Sequence, residues 1–325
     1  MSLNRWIAGA TVAFGLAFGG AAQAQVKIAL DGPKDLVNVG TYVWAHTFGE
    51  HLAANGMAYE EYERGALGGE AEKLDQVSQG LLEVSMSDTN SAASLEPLTM
   101  GLLLPYFFSG VEQLDRALDQ GGMLARINEG TTAKGVRVLD IALIGAAAGI
   151  FNTKHPVNTM ADLADLRMRA LDERQIAAMK AWGTTGTIVA WDEVPNALQT
   201  GVADGYLNPP IVPLLFGHTS FIKYFTDANI LPSTRAVLVS EDWYQGLSDA
   251  ERQIVQDAAK AAHDANRAWL DTQTAVLAKL EASGIQVIQL TPEAFAEFQA
   301  ASQPIYKAVP LPEGGLDAWI AAKGE

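Results

Sequence analysis

Cysteine is absent from all 325 residues. With it go disulfide staples, thiolate nucleophiles, thiolate metal sites and iron–sulfur clusters, so stability has to come from packing. Positive charge is scarce: 22 Lys and Arg stand against 38 Asp and Glu, a net charge of −16, which argues against a nucleic-acid partner. Histidine is scarcer still, at 46, 51, 155, 218 and 263, and no two fall at the spacing of a helical metal-ligand pair; His46 and His51 are five apart. No metal site and no cofactor is read from the chain. Nor does it contain a G-x-S-x-G elbow, a G-x-x-x-x-G-K-[ST] loop or a G-x-G-x-x-G fingerprint. Carboxylates abound, but an acidic surface accounts for them without any paired acid and base. The reading is of a protein that is not an enzyme.

Long hydrophobic runs are missing too, apart from Trp6 to Ala22. That run falls short of the ~20 apolar residues a membrane span needs. It follows Asn4 and Arg5 and ends in Ala22-Gln23-Ala24, the pattern of a secretory signal peptide over 1–24 with cleavage after Ala24. Without Arg5 the balance is 21 basic against 38 acidic residues, a net charge of −17. The expected location is the periplasm. No internal repeat and no Ser- or Pro-rich linker is visible.

What is present is an alternation of strand and helix patterns. VKIAL at Val26 to Leu30 and MAYEEYE at Met57 to Glu63 alternate as strands around a helical run from Gly40 to Ala54, a βα order for which a parallel sheet is the default. The loop Leu67 to Glu70 feeds a helix and reads equally as a plain entry loop or as a helix N-terminus donating to an anion, with Glu70 beside it. A strand from Glu83 to Ser87 ends in Asp88-Thr89-Asn90, the kind of polar loop that lines a ligand crevice in open α/β sheets, with Asn90 as the candidate contact. A helix over 111–127 and a strand over 135–143 follow. The small-residue run Gly145 to Gly149 suits a crossing into a second domain. That domain continues with strands over 167–170, 187–190 and 203–206 and helices over 173–182 and 192–200. The strand 236–240 reads as a return to the first domain, and a helical pattern of more than 30 residues, 248–282, as a strut between lobes. A late strand, 285–290, a helix, 292–306, and a frayed tail complete the chain. The expected fold class is α/β, two-lobed and discontinuous, with 25–148 plus 233–275 as one lobe, 149–232 plus 276–325 as the other, and a ligand cleft between them.

In the stretch 161–210 the strand Leu166-Arg167-Met168-Arg169-Ala170 puts Arg167 and Arg169 on one face. On spacing alone Arg169 fits a surface arginine or an anion-binding one. The surrounding residues carry more. Leu67-Gly68-Gly69-Glu70, Leu104-Pro105-Tyr106-Phe107, Asp162-Leu163 with Leu166 to Arg169, and Glu193 to Gly205 (EVPNALQTGVADG) with Asn208-Pro209 follow one another in the order seen in a known family. The chain resembles the periplasmic substrate-binding proteins of tripartite ATP-independent periplasmic (TRAP) transporters, the DctP-type family, over essentially its whole mature length. The resemblance implies a two-lobed fold closing on a ligand, a ligand carboxylate paired with Arg169 and a hydrogen bond from Asn208; a planar guanidinium suits a carboxylate bidentately. It also implies a TRAP membrane permease as partner. Many members carry a second arginine about twenty residues earlier, on the segment entering the second lobe; here that segment has no cation, with Asn152 or Lys154 as partial substitutes. A neutral wall there favours a monocarboxylate or other short organic acid over a sugar diacid, its remainder packed by Trp191, Tyr206 and Phe216. For those aromatics ordinary core packing stays open. A periplasmic sensor or scaffold, or a cleft enzyme acting on a carboxylate, are the alternative functions.

Overall fold

A computed structural model describes residues 25–324; the signal peptide expected over 1–24 lies outside the described residues. Among the described residues eleven strands fall into two sheets. The first combines β1 (Val26–Ala29), β2 (Tyr59–Tyr62), β3 (Val84–Asp88), β4 (Val136–Leu143) and, from much later in the chain, β10 (Thr234–Ser240), in the order β2-β1-β3-β10-β4. The second has β5 (Gly149–Asn152), β6 (Arg167–Ala170), β7 (Thr185–Ile188), β8 (Gly205–Asn208), β9 (Tyr224–Asp227) and β11 (Gln286–Gln289), in the order β11-β9-β5-β8-β6-β7. Neither sheet is all parallel, as the βα order had suggested. β10 runs antiparallel to both β3 and β4, and β5 antiparallel to β8 and β9, because these are the strands that enter and leave each sheet through the crossings.

Two of the crossings are laced together. Ile144 N–H donates to Ser233 O at 2.9 Å, Ala148 N–H to Leu231 O at 3.0 Å and Ile230 N–H to Ala148 O at 2.8 Å. A third crossing is the end of the helix Asp249–Asp271, which a 3-10 turn, Gln273–Ala275, separates from the helix Val276–Ala282. The single strut read over 248–282 is therefore two helices. The first packs on the helix Gly40–Ala54 through Val255, Ala258 and Ala262; Leu280 of the second belongs to the core of the other sheet with Phe151, Tyr206 and Phe225. Local chemistry explains the ends of the long one: Ser248 and Glu251 form a reciprocal capping box at its start.

Other boundaries move for legible reasons. The helix expected over 111–127 splits into Val111–Leu118 and Met123–Thr131 at Gly121-Gly122, where Gly122 takes a left-handed φ of 69°. The tail expected to fray ends in a helix, Gly315–Lys323, whose Trp319 is fully buried and donates from Nε1 to Leu98 O at 2.8 Å, so this helix lies against the side of the first sheet's unit. β9 has no counterpart in the sequence reading. No helix among the described residues is long and apolar enough to cross a membrane.

Gly205 shows why one strand tolerates a single residue type. A Cβ there would meet Phe151 O at 2.0 Å on the adjacent β5. Gly205→Ala should cost about 1 to 3 kcal/mol or more by overpacking. Thermal unfolding should show a midpoint lower by roughly 5 °C; an unchanged midpoint would mean that β5 and β8 yield freely.

Candidate functional site

β6 ends where the two units face each other, and its two arginines are sorted by what they meet. Arg167 Nε and Nη2 each lie 3.1 Å from a carboxylate oxygen of Asp204, whose Oδ2 also accepts the Arg167 N–H at 2.8 Å. Its charge is spent at the rim. Arg169 is only 3% exposed, and its Nε donates to Val189 O at 2.9 Å. That bond fixes the plane of the guanidinium, while Nη1 and Nη2 take no protein partner among the described residues. Burial depresses its pKa from 12.5 to about 10, against the raising influence of Asp88. The group stays charged at neutral pH, as a desolvated cation with a free fork.

The fork faces a cavity of about 140 Å³, lined from the second unit by Arg169, Gln175, Trp191, Asn208 and Phe216. Asn208 closes β8 and precedes Pro209, which restricts its backbone to the extended region; its side-chain amide has no protein partner among the described residues. Trp191 stands 5.3 Å from Phe216, edge to face, and the Arg169 Cζ lies 5.7 Å from the Trp191 ring centroid. Below them the Tyr206 hydroxyl lies 3.1 Å from His218 Nδ1, and burial holds the His218 pKa down at about 4, so this imidazole is neutral.

The first unit supplies the opposite wall. Asp31 follows β1 and Asp88 ends β3, both at the carboxyl edge of parallel strands, where open sheets bind ligands. Between them Arg235 of β10 donates from Nε to Asp31 Oδ2 at 2.9 Å and from Nη1 to Asp88 Oδ2 at 2.9 Å. The Arg235 guanidinium holds the Asp88 carboxyl below the usual carboxylate range, against burial. Thr41, near the start of the helix Gly40–Ala54, which has no side-chain cap, also lines this wall. So does Ser233, whose buried Oγ has no hydrogen-bond partner.

The other four residues singled out in the sequence lie off this lining. Glu70 Oε2 accepts the Asp88 N–H at 2.8 Å and its Oε1 faces Lys73 Nζ at 3.1 Å, so it buttresses a wall residue. Asn90 accepts from Arg174 in a smaller neighbouring space. Asn152 Oδ1 caps the turn after β5, accepting from Lys154 N at 2.9 Å and His155 N at 3.0 Å, which turns it away from any ligand in this cavity. Tyr206 is fully buried behind Trp191. The segment 145–151 indeed holds no cation; the cavity's other cation is Arg235, which is bound to two carboxylates of its own wall. The apolar strand had been read to begin one residue after it, and its two carboxylates are 147 and 204 residues away in sequence.

A larger open groove of about 1040 Å³ lies across the crossing strands, lined by Tyr106, Phe107, Phe295 and Tyr306, and shares Leu231 and Pro232 with the small cavity. Its cations, Lys307 and Lys323, are not buried. Convergent, desolvated polar groups make the small cavity the better candidate site despite the difference in volume.

The model of the family described as bacterial extracellular solute-binding protein, family 7, matches residues 40–310. The ectoine/5-hydroxyectoine-binding periplasmic protein of Ruegeria pomeroyi is 28% identical over 308 residues, covering 91% of this chain and 89% of that one. A TRAP periplasmic solute binding protein from Polaromonas sp JS666 bound to D-erythronate superposes with a TM-score of 0.82 at 24% identity, over 92% of this chain and 98% of that one. The periplasmic ectoine-binding protein of the TeaABC TRAP-transporter of Halomonas elongata gives 0.84 at 22% identity, over 92% and 98%. At these identities the two structures speak for a shared two-lobed α/β fold.

Proposed function

The chain belongs to the bacterial extracellular solute-binding proteins of family 7, and from that premise we propose that it captures a small organic acid outside the cytoplasm, by its carboxylate, and hands it to a TRAP-type membrane permease. One observation carries the carboxylate assignment: Arg169 is buried with its fork turned into a cavity and unpaired there. A fixed guanidinium of that kind matches two oxygens of one carboxylate. In this reading Asn208, on the same lining, hydrogen-bonds the same group, and Trp191, Phe216, Val212 and Leu215 cover an apolar remainder; their shared cavity supports it. The volume argues for a ligand of about one ring, since an engineered cavity of about 150 Å³ accommodates benzene. Ectoine, the solute in the names of the Ruegeria and Halomonas proteins, is a carboxylate of that size.

The two laced crossings fit closure of one unit on the other, with the ligand carboxylate drying against Arg169 as the units meet. A thermal-shift screen against organic acids tests the function: small carboxylates should raise the unfolding midpoint in a concentration-dependent way. Stabilisation confined to uncharged sugars, or release of a chemically altered ligand, would refute it.

A further inference from the structure

We infer that the ligand of this cavity is a zwitterion of net charge zero, with its carboxylate on Arg169 and its cationic group on Asp31; the inference rests on the proposed carboxylate site. Four formal charges line the cavity: Arg169 and Arg235 against Asp31 and Asp88. They cancel. The charged groups packed around it are also closed in pairs: Lys73 with Glu70 at 3.1 Å, Arg64 with Asp192 at 3.3 Å and Arg174 with Asp172. A monoanion would thus leave one uncompensated negative charge in a buried space, and a diacid two, whereas a zwitterion leaves none. The uncapped start of the helix Gly40–Ala54 offers roughly half a charge, too little to offset a whole one.

The two carboxylates are not equivalent. Asp88 is spent, accepting from Asn90 N at 3.0 Å and from Arg235 Nη1 at 2.9 Å. Asp31 is spent on one oxygen: Oδ2 accepts from Arg235 Nε at 2.9 Å, and Oδ1 has no partner among the described residues although Asp31 is 6% exposed. An unpartnered carboxylate oxygen on a buried residue that lines a cavity calls for a donor, and a charged donor makes the stronger bond. Arg235, with two of its three nitrogens on carboxylates, is a poor second clamp for an anion. The Trp191 and Phe216 rings suit the polarised carbons of a small cation, and the orphaned Ser233 Oγ adds a neutral hydrogen bond.

Two isosteric pairs isolate the cation: pipecolate against cyclohexanecarboxylate, and glycine betaine against 3,3-dimethylbutanoate. Titration calorimetry on the mature protein should show at least one zwitterion bound about tenfold or more tighter than its anion, with ectoine as a third zwitterionic probe. In Asp31→Asn that ratio should fall toward one. Anions that bind as well as their zwitterions in both pairs, or failure of all three zwitterions to bind, overturn the inference. Arg169→Ala separates the two levels. If it weakens both members of a pair while their affinities are equal, only the zwitterion falls; if it weakens neither, the carboxylate site falls with it.

Discussion

Replacing Arg169 by alanine should weaken carboxylate binding by about 3 to 5 kcal/mol, roughly a hundredfold to several thousandfold, as truncating one partner of a buried charge pair does. The same substitution should leave the empty protein as stable as before, or more so. Its pKa, lowered from 12.5 to about 10, means that the charged form opposes folding by roughly 3 kcal/mol at neutral pH, at about 1.4 kcal/mol per unit. Alanine removes that burden together with the binding group. Calorimetric titration and thermal unfolding of the same sample check both halves. Arg169→Lys should fall between, because an ammonium keeps the charge but loses the fork and its anchor on Val189 O. Wild-type affinity in the alanine variant would remove Arg169 from the site.

Arg235→Ala should act in the opposite manner, on the fold first. It strands Asp31, which is buried, and Asp88, which is half-buried, two carboxylates held by one guanidinium, at a cost of about 3 kcal/mol. The loss has a pH signature. The folded-state pKa of Asp88 is lowered, so its contribution is present above the unfolded value, near 3.8, and is lost as pH falls through the lower, folded one. In the variant the stranded Asp88 carboxyl, left with burial and without Arg235, prefers to be protonated, so folding is hurt most where it is charged. The gap between wild-type and variant midpoints should be widest near neutral pH and narrow toward pH 4. A gap independent of pH would show that Arg235 serves by packing instead of charge.

These residues also show what the sequence discloses and what it withholds. Arg169 and Asn208 were picked out by the family resemblance, which runs through their one stretch of some forty residues; spacing alone left Arg169 a surface or an anion-binding arginine. The cavity's other half was not. Asp31, Asp88 and Arg235 lie far apart in the chain and meet only because β10 returns to insert between β3 and β4. No local pattern distinguishes Asp31 from the 37 other acidic residues. The break in the long helix at Gln273–Ala275 was hidden for the opposite reason: no glycine or proline marks it, only Thr272 and Thr274, whose modest helix propensity is too weak a signal against the flanking helical pattern. β9 reads YFTD, too short and too mixed to register as a strand without its neighbours β5 and β11.

Trp191 gives the site an optical consequence. Trp44, Trp182 and Trp319 are fixed in the cores, with fractional exposures of 0 to 2%, whereas the Trp191 indole lines the cavity beside the Arg169 cation. Its emission depends on the charge and hydration next to the ring, and a ligand carboxylate changes both at once. Intrinsic fluorescence should therefore report occupancy without a labelled ligand, and Trp191→Phe should silence most of the signal while the other indoles continue to emit unchanged.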